Sequence, residues 1–149
     1  MRFYSYEEFK VDVNHLAKEI KPYAPDVILA VARGGMTLGH FLAEALEMRD
    51  LYAINSIHYE ETRKLDTIRI FNIPDLSRAK RVVLVDDIID SGETMIEIKR
   101  VLSTKYPEVD LKVASVFYKE KALLRPDFAA REATEWIEFF WDFNIDQYK

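Results

Sequence analysis

The chain has no cysteine, which excludes disulfides and thiolate-bound metals from its stability and its chemistry. That absence fits the cytosol. It also lacks a basic excess: 21 Lys and Arg stand against 26 Asp and Glu, a net charge of −5. With no surplus of cations to release counterions from a phosphate backbone, broad nucleic-acid binding is not expected. No run of ~18 apolar residues and no signal-peptide pattern occurs, so no membrane span is expected and a cytoplasmic location is. Internal repeats, low-complexity tracts and interdomain linkers are missing too. Glycine is scarce, with only four residues: Gly34, Gly35, Gly39 and Gly92. Glycine serves where backbone takes unusual dihedrals or approaches a ligand closely. These four are expected to fall in two strand-to-helix loops.

What is present suits one α/β domain over residues 1–149. Hydrophobic residues make up 49% and charged residues 32%, an ordinary balance for a chain with a real core. Ser5-Tyr6-Glu7-Glu8 is a capping-box pattern. Phe9, Val13, Leu16, Ala17 and Ile20 follow at helical spacing and predict a helix ending near Pro22. Val27 to Ala32 reads as a buried strand, Thr37 to Glu47 as a helix and Leu51 to Ile57 as a strand. Glu60 to Asp66 is charged and aperiodic, a mobile loop from which Thr67 to Ile73 returns as a short strand. Val82 to Val85 and Leu111 to Tyr118 are further strands, with a helix from Thr94 to Tyr106 between them. Buried strands alternating with helices imply crossovers and a mostly parallel sheet flanked by helices. Ligands of such sheets bind at the carboxyl ends of the strands.

The most informative stretch is Val82 to Thr94, VVLVDDIIDSGET. Four apolar residues lead into Asp86 and Asp87, then Ile88 and Ile89, then Asp90-Ser91-Gly92-Glu93-Thr94 opening a helix. Adjacent carboxylates can accept hydrogen bonds from sugar hydroxyls or help hold Mg²⁺, which prefers oxygen ligands. Backbone N–H groups at a helix start, with the helix dipole behind them, form an anion cradle. A ribose 5-phosphate fits both halves. The same acids also suit a phosphoacceptor or another divalent-metal site, and Ser/Thr/Gly after a strand is also a plain cap and turn.

This run resembles the phosphate-loop signature of the type I phosphoribosyltransferases, which holds 5-phosphoribosyl-1-pyrophosphate (PRPP). The resemblance implies that family's fold, with a small C-terminal hood over about residues 120–149. It places the donor on Arg33, Gly34, Asp86, Asp87, Ile89, Asp90, Ser91, Gly92, Glu93 and Thr94. Arg33-Gly34-Gly35 corresponds to the family's pyrophosphate loop, and a cis peptide at Ala32-Arg33 is implied with it.

Two later pieces point to a branch. Alone, Lys119 at a strand end is as readily a solvated surface lysine. In the 6-oxopurine enzymes a lysine here donates to purine O6, and an ammonium, being donor-only, disfavours the amino group of adenine. Trp136-Ile137-Glu138-Phe139-Phe140-Trp141-Asp142 resembles the base-binding hood of bacterial xanthine-guanine phosphoribosyltransferases. That implies Trp136 stacking on the purine, the Ile137 backbone reading its edge, and Asp142 beside the pyrophosphate. Phe139, Phe140 and Trp141 read as core or oligomer interface. Mg²⁺ is the implied cofactor, on Asp87 and Asp142. Asp90, Asp86, Asp87 and Tyr59 are the implied catalytic residues. PRPP and a 6-oxopurine are the implied substrates, and a homodimer or homotetramer the implied assembly. The family's mobile loop presents a Ser-Tyr pair; His58-Tyr59 stands here instead, with Arg63 and Lys64 as further pyrophosphate contacts. A non-catalytic nucleotide-sensing regulator on the same fold, or a transferase for another base, are the competing expectations.

Overall fold

A computed structural model describes residues 1–59 and 67–148. The elements run β1 (Arg2–Tyr4), α1 (Tyr6–Ile20), β2 (Val27–Ala32), α2 (Met36–Ala45), β3 (Leu51–Tyr59), β4 (Thr67–Phe71), β5 (Arg81–Ile89), α3 (Glu93–Lys105), β6 (Asp110–Tyr118), β7 (Phe128–Glu132) and β8 (Ile137–Phe139). Short 3₁₀ turns lie at Lys21–Tyr23 and Ile145–Tyr148. The capping box forms as expected: Ser5 Oγ accepts from the Glu8 N–H at 3.1 Å, and Glu8 Oε2 accepts from the Ser5 N–H at 3.0 Å. The predicted apolar stripe of α1 is buried, together with Asp12, which accepts from Arg131 Nε at 2.7 Å.

Six strands form one sheet in the order β4-β3-β2-β5-β6-β7, parallel except for the β3–β4 pair. The chain builds outward from β2 through β3 and β4, then returns to place β5 on the other flank of β2. The topological switch point therefore lies between β2 and β5, where open α/β sheets leave a crevice at the strands' carboxyl ends. Period-two alternation divides the core. Ile28, Val83 and Val85 face α1 and α2, while Leu29, Val31, Val82 and Leu84 face Met95, Ile98 and Leu102 of α3.

The structure differs from the sequence expectation in four places. Strand β5 continues through Asp86 and Asp87 to Ile89, so the acids lie within the strand rather than after it. Its ladder with β6 holds it extended, pairing Asp86 with Ser115 and Ile88 with Phe117. Gly39 lies inside α2 and not in a loop; a Cβ there would come within 2.8 Å of Ala30 Cβ, so it lets helix and strand approach. Strands β1 and β8 pair in parallel as a separate two-stranded sheet, and β7 extends the main one. The expected loop at 60–66, with Arg63 and Lys64, lies outside the described residues.

Gly35 shows the tightest backbone approach in the turn after β2. Its φ of −84° is open to any residue, but an added Cβ would stand 2.2 Å from the Val85 carbonyl oxygen. Space alone demands glycine there. Gly35→Ala is accordingly expected to cost roughly 1–3 kcal/mol, the scale of overpacking. Thermal unfolding should show a midpoint several degrees lower, and an unchanged midpoint would contradict the close approach.

Candidate functional site

Three cavities meet at the carboxyl ends of β2, β5 and β6. The smallest, about 80 Å³, lies against the turn from β5 into α3 and is lined by Asp86, Ile89, Asp90, Ser91, Gly92 and Thr94, among others. Gly92 caps α3 in the left-handed region at φ 88°, a conformation glycine takes without steric penalty. The Ser91 hydroxyl accepts from the Glu93 N–H at 3.2 Å. The turn is stitched to the segment after β6: Lys119 N–H donates to Ile89 O at 2.9 Å and Leu123 N–H to Ser91 O at 2.8 Å. A helix N-terminus facing a small cavity suits an anion by geometry and dipole. The Glu93 side chain does not line it.

Asp86 and Asp87 stand where β2 stops pairing. The β2–β5 ladder ends at Ala30–Val85, and beyond it the side chains accept from the backbone: Asp86 Oδ1 from the Asp87 N–H at 2.9 Å, Asp87 Oδ1 from the Ile88 N–H at 2.7 Å. Burial, then repulsion from Asp87, pushes the Asp86 carboxyl well above the usual aspartate range. Burial also raises Asp87, and the charge of Asp142 adds to that. Asp87 fills the space opposite Gly34, where a Cβ would come within 2.6 Å of its Oδ2.

The second cavity, about 440 Å³, is lined by Arg33, Gly34, Thr37, Asp87, Trp141 and Asp142, with Phe143 at its edge. The Ala32-Arg33 peptide bond before it is cis, as expected. The third, about 270 Å³, is lined by Asp90, Lys119, Trp136, Ile137, Asp87 and Asp142, together with Ile88, Glu135 and Phe139. Asp87 and Asp142 border both. Here Lys119 Nζ pairs with Asp90 Oδ1 at 2.6 Å, while Trp136 leaves 75% of its surface exposed. A core role for Trp136 is thereby excluded. Phe139, by contrast, is buried and stacks on Trp141 with ring centroids 4.6 Å apart, so the core expectation holds for that pair. Asp142 is held by its own turn, its Oδ2 accepting from the Phe139 N–H at 3.0 Å.

The expected residues thus converge, with two exceptions, and the first is Glu93, whose side chain lines none of the three cavities. The second, Tyr59, closes β3 opposite Thr67 and lines none of them either. Sequence reading missed Thr37 and Glu135. Thr37 was legible as a hydroxyl in the first turn of the helix after Arg33-Gly34-Gly35; Glu135 carried no signal beyond preceding Trp136. Among the described residues, no three His, Asp or Glu gather as a closed metal cage. Nor is any helix among them long and apolar enough to cross a membrane.

Comparison with known proteins points to one family. The family model described as a phosphoribosyl transferase domain matches residues 2–148. A xanthine-guanine phosphoribosyltransferase of Idiomarina loihiensis is 26% identical over 147 residues, covering 96% of this chain and 88% of that protein. A hypoxanthine-guanine phosphoribosyltransferase of Aquifex aeolicus is 34% identical over 134 residues, 83% of this chain and 72% of its own. The solved structure of Helicobacter pylori xanthine-guanine-hypoxanthine phosphoribosyltransferase superposes with a TM-score of 0.90 at 37% identity, covering 99% and 97% of the two chains.

The raised acid pair has a consequence for stability. A carboxyl whose folded pKa lies above its unfolded value contributes fully at low pH and loses that contribution as pH rises through the folded value. As pH rises above the ordinary aspartate range, the ligand-free fold therefore loses stability at Asp86. Asp86→Asn should raise the unfolding midpoint of ligand-free protein at neutral pH by roughly 2–4 °C for each ~1 kcal/mol relieved. The gain should shrink as pH falls toward the ordinary aspartate range. A destabilised variant at neutral pH would contradict it.

Proposed function

Because the chain belongs to the phosphoribosyltransferase family, we propose that it transfers ribose 5-phosphate from PRPP to N9 of a 6-oxopurine, releasing pyrophosphate, in cytoplasmic purine salvage. The observation that carries this reading is the sharing of Asp87 and Asp142 between a cavity lined by Arg33 and one lined by Asp90, Lys119 and Trp136. A donor in the first and a flat base in the second meet at Asp87 and Asp142. The names of the similar proteins support the same substrate class.

In this reading the N–H groups of Ser91 to Thr94 hold the 5-phosphate, with Asp90 and Ile89 forming the approach to it. Asp86 and Asp87 accept from the ribose hydroxyls. Arg33 and the Gly34 backbone hold the pyrophosphate as negative charge grows on it, the differential stabilisation that lowers the barrier. Asp87 and Asp142 supply oxygen donors of the kind Mg²⁺ takes, one or two carboxylates with the rest from phosphate and water. When bound, that ion neutralises pyrophosphate charge. As the C1–O bond breaks, the ribosyl carbon becomes cationic and purine N9 attacks it. Asp90 accepts the hydrogen at N7 and helps move it. Trp136 stacks on the base, the Ile137 backbone reads its edge and Lys119 donates to O6. Tyr59 lines none of the three cavities, so its role stands on the family resemblance alone.

Incubation with PRPP, Mg²⁺ and each base tests the substrate class. Guanine, xanthine or hypoxanthine should be converted, with adenine at least about a hundredfold less efficient, since Lys119 would face an amino group with no acceptor. Efficient adenine turnover would overturn the branch, and no turnover of any purine would overturn the function.

Trp136→Ala should raise KM for the base roughly ten- to a hundredfold, the scale of base stacking. KM for PRPP should hold, and Trp136→Phe should recover most of the loss. Since the ring is exposed, the unfolding midpoint should barely move; equal rises in both constants would refute the stacking role.

Exposed apolar residues at Phe3, Met36, Tyr52, Ile57 and Tyr59 support the homodimer or homotetramer as the working assembly. Light scattering at micromolar concentration should give a multiple of 17.5 kDa. A monomer mass would remove that proposal without touching the site.

A further inference from the structure

One wall of the base cavity is fastened by the far end of the chain. The Trp136 carbonyl accepts from the Arg2 N–H at 2.8 Å, and the Phe140 N–H donates to Tyr4 O at 3.0 Å. Between these bonds β1 and β8 run parallel, with Arg2 opposite Ile137 and Tyr4 opposite Phe139. Among the described residues β1 is the single strand partner of β8, for the pair stands apart from the six-stranded sheet. Trp136 is mostly exposed, and its indole enters none of the ring pairs that bind Phe139, Phe140 and Trp141 together. Side-chain packing therefore does little to place this ring. Its backbone must.

The strand that holds that backbone is itself anchored. Arg2 Nη2 donates to Glu8 Oε1 at 2.6 Å, and its guanidinium lies 5.8 Å from the Tyr4 ring centroid and 5.5 Å from that of Phe117. Glu8 belongs to the capping box of α1; the Ser5 amide, and then Arg2, hold its carboxyl below the usual glutamate range. Tyr4 is wholly buried and its hydroxyl donates to Asp12. Chain direction, helix cap and buried aromatic ring all fix the same three residues. By contrast, Asp86 and Asp87 lie on the six-stranded sheet and Arg33 and the turn into α3 at its strand ends, while Asp142 hangs from Phe139 at the Tyr4 end of the β1–β8 pair, away from Arg2.

We propose that Arg2 is a positioning residue for base recognition: its N–H fixes the Trp136 carbonyl, and its guanidinium, locked on Glu8, fixes that N–H. The proposal rests on the reading of Trp136 as the purine platform. It assigns Arg2 a role mainly in affinity for the base and little in affinity for the sugar donor, although Arg2 lies far from Trp136 in sequence.

Arg2→Pro deletes the N–H itself, Arg2→Ala deletes the anchor, and Arg2→Lys restores a cation toward Glu8. KM for guanine should rise about tenfold in Arg2→Pro, the scale of one lost hydrogen bond with its ordering, and less in Arg2→Ala. Arg2→Lys should recover part of the loss, with KM for PRPP within about twofold throughout. A second readout needs no turnover. In a Trp141→Phe background Trp136 is the remaining tryptophan, and its fluorescence anisotropy decay should show a more mobile indole in Arg2→Ala and Arg2→Pro. Should the proline variant not fold, the alanine and lysine variants carry both readouts. An unchanged decay overturns the tether, and equal rises in both KM values overturn its link to the base. Wild-type protein that converts no purine would defeat the function, leaving the tether to be judged by anisotropy alone.

Discussion

The site depends on how closely the turn after β2 settles onto β5. Two missing side chains make it possible. A Cβ at residue 35 would meet the Val85 carbonyl oxygen, and a Cβ at residue 34 would meet the Asp87 carboxylate. That contact ends the β2–β5 ladder at Val85, and ending it leaves Asp86 and Asp87 half-buried at the switch point of the sheet. Without the close turn the acids would have more water; with it they are raised and mutually repelled. A cationic ligand relieves that repulsion. The fold thus keeps a standing electrostatic cost where a metal-bound sugar phosphate is proposed to bind.

The division of the site follows from the topology. Most of what is assigned to the donor lies on the six-stranded sheet or the turns at its carboxyl ends, built from β2, β5 and α3; Asp142 alone comes from the turn after β8. What is assigned to the base is mixed. Asp90 and Lys119 come from the sheet and meet as an ion pair, whereas Trp136 and Ile137 come from the two-stranded sheet with β1. Base recognition therefore needs two bodies in register. The aromatic cluster of Tyr4, Phe9, Phe117, Phe139 and Trp141 lies between them, its rings mostly edge-to-face. Such packing adds to area burial and joins hood to sheet.

Much of this was legible in the sequence, for identifiable reasons. Strands β2, β5 and β6 are continuous apolar runs because both faces are covered, and the caps of α1 and the glycine of the β5–α3 turn are local chemistry. The Val82–Thr94 run sets the acid pair and the helix-opening turn side by side, and the fold keeps them together at the carboxyl end of β5. What escaped was non-local or short. Three residues of β1 have no period to read, and β8 is a strand only because β1 pairs with it. Gly39 was assigned to a loop since spacing to its neighbours cannot reveal a contact with Ala30. The split of the aromatic segment rested on the family resemblance, with Trp136 assigned to the base and Phe139 and Trp141 to core or interface; the fold shows Trp136 standing free of the Phe139–Trp141 stack.

Burial and mutual repulsion hold the carboxyls of Asp86 and Asp87 above the ordinary aspartate range in the ligand-free fold, and a metal-bound phosphoribosyl donor is expected to lower them. Calorimetric titration of PRPP with Mg²⁺ into the protein, in mildly acidic buffers of differing ionisation enthalpy, measures the protons exchanged. Binding should release protons, because a cation beside Asp86 and Asp87 returns both carboxyls toward their ordinary range, and Asp86→Asn should diminish the release. Donor binding with no net proton release, or with uptake, would contradict the account.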